Sequence, residues 1–121
     1  MKKSISVWID NIKMVGIVKV ADTFISRFLG LLPIKVLKEN NGLLLKPCKQ
    51  VHTFLMKYPI DVIFLSDENI IEHIEYNLVP NKVSRYVKSA VKTLEINSGV
   101  AIRYNLDVGD MLNIKDANKE N

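Results

Sequence analysis

Residues 62–76, VIFLSDENIIEHIEY, decide the fold class that this sequence predicts. The run 62–66 is apolar, has the length of a strand, and suits a central strand that is buried on both faces. Asp67, Glu68 and Asn69 are turn-forming residues, and the segment 70–76 again has the composition of a strand. We therefore expect two antiparallel strands joined by a tight turn.

Further strand signals lie on both sides of this pair. Toward the N-terminus, segments 4–9 and 14–20 are short and β-branched, and the turn residues between them predict a β-hairpin. Four more segments are expected to be extended: 43–46, 51–55, 91–96 and 111–115. The connection 77–87 is long and basic, which is typical of a surface loop.

Two short helices are expected. Asp22 or Thr23 can cap the first, in which Phe24 and Phe28 share one apolar face, and Pro33 limits its length. Asn97 or Ser98 can cap a second helix over 101–106. Strands that follow one another in sequence, with few helices, predict an α+β fold with a mostly antiparallel, curled or barrel-like sheet.

Length and composition narrow the classes of protein. The chain has 121 residues, which predicts a single globular domain over 1–116 with a polar tail at 117–121. The net charge of +4 is mild and no basic run is long, so we expect no nucleic-acid partner. The single cysteine and the interrupted apolar start predict a cytoplasmic protein without a membrane span.

The block 48–65, CKQVHTFLMKYPIDVIFL, carries most of the chemistry. His52 can act as a base, a ligand donor or a metal ligand, or it can bond a backbone carbonyl and be structural. Asp61 stands at the start of a buried strand, where a carboxylate needs partners. It can cap an adjacent turn, orient His52 or bind a ligand.

Cys48 lies four residues before His52, which raises the alternative of an activated thiol. A lone cysteine is more often a small buried apolar group, and no oxyanion-hole glycine pattern accompanies this one. No CxxC, HxxxH or HExxH spacing occurs, so we predict no metal and no cofactor.

Four blocks of the sequence resemble the domain of unknown function 192 family. They are 21-ADTFISRFLGLL-32, 42-GLLLKPCKQVHTFLMKYPIDVIFLSDENII-71, 91-VKTLEINSGVA-101 and 106-LDVGDML-112. The specific features are a His-Thr-x-x-Met-x-x-x-Ile-Asp block over 52–61, a Thr-x-x-x-Arg-x-x-Gly pattern over 23–30, Leu-Glu at 94–95 and Gly-Asp at 109–110. The resemblance implies a compact domain of sheet and short helices and implies no activity.

Together, these observations predict one pocket or one buried polar network. Its members are Arg27, His52, Thr53, Met56, Asp61 and Glu95. Arg27 can pair with Asp61 or Glu95. The hypothesis we favour is a binding or accessory module for a small polar molecule or a peptide end. The alternatives are a hydrolase or transferase that uses Cys48 or His52 with Asp61, and a structural partner in a larger assembly. The sequence leaves the oligomeric state open.

Overall fold

The structure is a computed structural model that describes residues 4–117. In that range, seven strands and two short helices follow one another. Their bounds are β1 Ser4–Ile9, β2 Ile12–Ala21, α1 Phe24–Leu29, β3 Asn41–Leu45, β4 Ile60–Leu65, β5 Ile71–Leu78, β6 Lys92–Asn97, α2 Val100–Arg103 and β7 Asn113–Asp116. Apart from its first residue, Ala117, the predicted polar tail lies outside the described residues.

All seven strands form one sheet in the order β5-β4-β6-β3-β2-β1-β7. Only β2 and β3 are parallel, so the α+β class with a mostly antiparallel sheet is confirmed. The barrel-like closure is not confirmed, because the ladder ends at β5 and β7. Near these two ends, Ile70 and Met111 form an isolated bridge, and Leu112 N donates to Asn69 O at 2.9 Å.

The segment 62–76 folds as predicted. All six residues of β4 are buried, and β4 lies between β5 and β6 with antiparallel pairing on both sides. Opposite residues in the β4–β5 pair include Ile63 with Ile74 and Phe64 with His73. A strand flanked on both sides and covered on both faces favours apolar residues, which explains the continuous apolar run from Val62 to Leu65.

The two helices begin differently from each other. Thr23 caps α1 as expected: its Oγ1 accepts from Ser26 N at 3.0 Å, and Ser26 Oγ accepts from Thr23 N at 3.0 Å. The second helix begins at Val100 after Gly99, not after Asn97 or Ser98. Those two side chains have other partners, because Asn97 Nδ2 donates to Leu37 O and Ser98 Oγ donates to Asn77 Oδ1.

The segment 51–55 is not a strand, which corrects the sequence-based expectation. Its only ladder-like contact among the described residues is an isolated bridge between His52 and Val83. Thr53 holds the segment against the loop after β5, since its Oγ1 donates to Val79 O at 2.6 Å and accepts from Lys82 N at 2.9 Å. Backbone bonds from Thr53 N to Lys82 O at 2.8 Å and from Ser84 N to Val51 O at 2.9 Å add to this contact, which is too short for a regular ladder.

The sheet carries a hydrophobic cluster on each face. We call the side covered by α2 the α2 face, where Ile63 and Leu65 of β4 pack with Val100 and Ala101. We call the other side the groove face. There, Ile60, Val62 and Phe64 pack with residues of the segments 31–37 and 48–58, among them Leu31, Val51 and Met56. Alternation along each strand therefore decides which side chains can meet.

Candidate functional site

A groove of about 370 Å³ opens on the groove face. It lies between α1 with the turn that follows it and the segment 45–56. Its wall is mostly apolar, and its polar members are few. The residues that line it include Phe24, Arg27, Phe28, Gly30, Leu31, Leu45, Cys48, Lys49, His52, Phe54, Met56 and Glu95.

Glu95 is the unusual member of this lining. It lies in the middle of β6, opposite Val62 on one side and Leu43 on the other, so its side chain shares the groove face with theirs. The residue is 3% exposed, and its Oε1 is buried without a hydrogen-bond partner. Burial raises the pKa of this carboxyl to about 8, so the neutral form predominates at pH 7.

Gly30 lets the chain pass close to this carboxyl. It ends α1 with a φ of +52°, a backbone conformation that favours glycine. A Cβ built at this position would lie 3.7 Å from Glu95 Oε1. The turn after α1 therefore covers the carboxyl with backbone and supplies no side chain that bonds to it.

Arg27 also lines the groove, but it does not pair with Glu95. Its Nε donates to Thr23 O at 3.3 Å, and its Nη1 donates to Pro47 O at 3.2 Å. The bond to Pro47 O ties α1 to the segment that forms the opposite wall, and the bond to Thr23 O lies within the cap of α1. Among the described residues, no hydrogen bond or ion pair joins Arg27 to Glu95 or Asp61, so the predicted charge-assisted bond is not formed.

Cys48 lies near both the Arg27 guanidinium and the Glu95 carboxyl. Its Sγ donates to Gln50 O at 3.3 Å. Burial raises the pKa of the thiol, hydrogen bonds with Thr93 and Gln50 partly oppose the rise, and the nearby Glu95 and Arg27 have smaller, opposite effects. The thiol is therefore held mostly in its protonated, weakly nucleophilic form at neutral pH.

His52 and Met56 line the groove as well. The His52 ring is exposed and stacks on Phe54, with the ring centroids 5.0 Å apart, and its Nδ1 accepts from Phe54 N at 3.2 Å. Met56 is buried in the cluster of the groove face. Four of the six residues proposed from the sequence, Arg27, His52, Met56 and Glu95, thus meet around one groove.

Thr53 and Asp61 are not part of the groove lining. Thr53 is fully buried against the loop after β5. Asp61 pairs with Ile96 and lies on the α2 face, where its carboxylate accepts from Asn77 N, Gly99 N and Ala101 N. Two of these bonds serve the start of α2, so Asp61 acts as the cap that the sequence assigned to Asn97 or Ser98.

The position of Asp61 on the α2 face affects the catalytic alternative raised by the sequence, in which Cys48 or His52 acts with Asp61. Because Asp61 lies on the other face of the sheet, Cys48, His52 and Asp61 form no relay of hydrogen bonds. Within residues 4–117, no group of three or more His, Cys, Asp or Glu side chains is placed to hold a metal ion. Neither helix in the same range is long and apolar enough to cross a membrane.

The site residues proposed from the sequence did not include the aromatic side chains at the rim of the groove. Phe24 and Phe28, which are 77% and 67% exposed, stand on the α1 wall, and Phe54 stands on the opposite wall. The available signal was α1 itself, FISRFL, which is apolar around most of its circumference. No residue of this helix is buried, so its apolar side chains line the groove or face solvent.

The Cys48 thiol is expected to react slowly with iodoacetamide. Its rate at pH 7 should be at least about tenfold below that of the same thiol in urea-unfolded protein, because burial raises the folded pKa. The rate should rise with pH beyond pH 9. Both rates can be measured by quenching the reaction at set times and determining the alkylated fraction by mass spectrometry. A fast reaction at pH 6 would instead indicate a low-pKa, catalytic thiol.

The fold and the groove define a small α+β domain in which an aromatic-rimmed cavity covers a buried, unpaired carboxyl. The chain belongs to the domain of unknown function 192 family (DUF192, "Uncharacterized ACR"), whose model matches residues 7–114. This confirms the resemblance carried by the four sequence blocks.

Two solved structures share the fold. One is a protein of unknown function from Novosphingobium aromaticivorans, with a TM-score of 0.80, 22% identity, and coverage of 93% of this chain and 84% of that chain. The other, from Sinorhizobium meliloti, is described as a "putative transcription regulator", with a TM-score of 0.76, 22% identity and 93% coverage of both chains. No protein with a curated description matches the chain significantly.

Proposed function

We propose that this protein is a binding module that holds a small molecule or a peptide end in the groove between α1 and the segment 45–56. One observation carries the proposal: the Glu95 carboxyl lies at the groove, almost completely buried, with no partner for Oε1. A buried polar group without a partner costs about 1–3 kcal/mol. A ligand that supplies the missing hydrogen bond would offset that cost.

The walls of the groove support the same proposal. Small-ligand sites are concave, mostly apolar and equipped with a few polar groups that fix orientation. Here the apolar groups include Phe24, Phe28 and Phe54, and the polar groups include Arg27 and Glu95. The volume of about 370 Å³ is near the lower end of the range for such sites.

A second candidate function is docking of a protein partner on α1. It is favoured by Ile25, which is exposed on this helix and does not line the groove. Exposed apolar side chains grouped on one element mark interaction surfaces. An Ile25→Ser variant separates the candidates, because it would weaken a partner on α1 and leave a ligand inside the groove unaffected.

The test of the binding function is a fragment screen by ¹H–¹⁵N NMR. The library should span acids, amines, alcohols and neutral aromatics. We expect hits whose shifts centre on the amides of Gly30 and Cys48. Phe28→Ser should weaken these hits about fivefold or more, because it removes an aromatic wall that covers the ligand.

Ile102→Ser is the matched control. Ile102 is also exposed on a short helix, but α2 lies on the other face of the sheet, so this change should leave the hits unaltered. A library that moves no groove amide, or hits that respond equally to both variants, would refute the proposed function.

A further inference from the structure

We propose that the ligand of the groove is an apolar carboxylate, whose carboxylate group lies between the guanidinium of Arg27 and the carboxyl of Glu95. This inference rests on the proposed function and assigns its ligand chemistry. It follows from the charges, the free donors and the apolar walls of the groove.

The charges at the groove favour an anionic ligand group. Two cationic residues, Arg27 and Lys49, line it, and the Lys49 ammonium is fixed by the carbonyls of Lys88 and Ala90. Glu95 is the acidic residue of the lining and is mostly neutral at pH 7, since burial raises its pKa to about 8. An empty groove therefore carries net positive charge, which attracts an anion and repels an ammonium group.

The hydrogen-bond donors at the groove also favour an anionic ligand group. A guanidinium has five N–H donors. Arg27 uses Nε and Nη1 on backbone carbonyls, and no hydrogen bond from Nη2 to a described residue is formed. The Glu95 carboxyl, when protonated, adds an O–H donor, and its Oε1 has no hydrogen-bond partner among the described residues. A carboxylate has two oxygens and can accept from both, and hydrogen bonds to a charged acceptor are the stronger kind.

The apolar walls describe the rest of the ligand. Phe24, Phe28 and Phe54 stand around the mouth, and Met56 and Leu45 lie deeper. An aromatic or branched aliphatic body would bury these surfaces at about 25 cal/mol per Å². Two sources present this chemistry: a free monocarboxylic acid, and the C-terminus of a peptide that ends in an apolar residue.

The experiment compares ligands that differ only in their polar end. The probes are 4-phenylbutyrate, 4-phenylbutyramide and 4-phenylbutylamine, titrated separately and followed at the Gly30 and Cys48 amides. We expect the carboxylate to bind at least about tenfold more tightly than the amide or the amine. A hexapeptide ending in Phe, with a free or an amidated C-terminus, then distinguishes the two sources.

The pH dependence tests the role of Glu95. The ionisable groups around it are Arg27 from α1, Cys48, Lys49 and His52 in the lining of the opposite wall, and Tyr58 from the segment before β4. Burial raises the pKa of both Cys48 and Tyr58, so both stay largely protonated where Glu95 ionises. Between pH 7.5 and 9.5, the affinity for 4-phenylbutyrate should fall about 25-fold as Glu95 becomes negative.

Glu95→Gln is the informative variant because it keeps the shape and a donor but does not titrate. It should bind 4-phenylbutyrate and lose the 25-fold fall with pH. Arg27→Gln should weaken binding about tenfold at every pH. The melting temperature of each variant checks that it is folded.

The outcomes separate the two proposals. If 4-phenylbutylamine or 4-phenylbutyramide binds in the groove more tightly than the carboxylate, the inference is overturned and the binding function stands. Persistence of the full pH dependence in Glu95→Gln also overturns the inference. If no probe and no fragment of the wider screen shifts a groove amide signal, both the binding function and the ligand assignment are refuted.

Discussion

Replacing Glu95 by Gln is expected to stabilise the protein, and to do so increasingly as the pH rises. Burial raises the pKa of the Glu95 carboxyl from 4.5 to about 8 in the folded protein. Between these values the folded state holds a proton that the unfolded chain releases, so rising pH favours unfolding. Wild-type stability therefore carries a penalty that is absent below pH 4.5 and complete above pH 8.

The size of this effect follows from the shift. One pKa unit corresponds to about 1.4 kcal/mol, so the penalty reaches roughly 5 kcal/mol above pH 8. Between pH 5 and pH 8.5, the stability difference between Glu95→Gln and wild type should grow by about 4 kcal/mol. Urea unfolding at the two pH values measures it.

The control for this prediction is Glu68→Gln. Glu68 is exposed in the turn between β4 and β5, so its replacement should change stability little at either pH. Equal pH dependence in wild type and Glu95→Gln would mean that the Glu95 carboxyl is already paired or solvated in the folded protein. The carboxyl would then have no unmet hydrogen bond for a ligand to satisfy.

The second large effect is expected at Asp61. Its Oδ1 accepts from Asn77 N at 2.8 Å, and its Oδ2 accepts from Gly99 N and Ala101 N, both at 3.0 Å. Asp61→Ala leaves these backbone donors without their acceptor in a site where the residue is 1% exposed. We expect a loss of about 4 kcal/mol, which corresponds to a fall of roughly 15 °C in Tm.

Calorimetry of Asp61→Ala and Asp67→Ala measures this effect. Asp67 is an exposed aspartate in the turn after β4, so the control should melt close to wild type. A Tm for Asp61→Ala within a few degrees of wild type would show that the three bonds contribute little. It would also reopen the role of this carboxylate as a ligand-binding group.

The central strands show what can be predicted from local sequence. The residues at 62–65 are all apolar, and strand β4 is buried at every position. The hairpin of β1 and β2 is equally local, because two turn residues separate Ile9 from Ile12. Thr23 as the cap of α1 is a third case, since the cap bonds reach only three residues along the chain.

Only part of the candidate site could be predicted from the sequence, and the reason is physical. His52, Met56, Asp61 and Glu95 were grouped from sequence blocks, which give no information about the face of the sheet. Glu95 is opposite Val62 and Asp61 is opposite Ile96, so strand register alone puts the two carboxyls on opposite faces. Register depends on pairing between strands that are distant in sequence, and no local pattern encodes it.

The family, the α+β class, the central strand pair and the cap of α1 follow from the amino-acid sequence, because each depends on residues close together in the chain or on ordered blocks. Which acidic group lies at the groove follows from the tertiary fold alone. In the folded chain, Arg27 bonds to backbone carbonyls and Asp61 caps α2 on the other face of the sheet. Glu95 lies at the groove, buried and without a partner for Oε1. The reason is that burial and pairing of a charged group depend on which distant segments cover it.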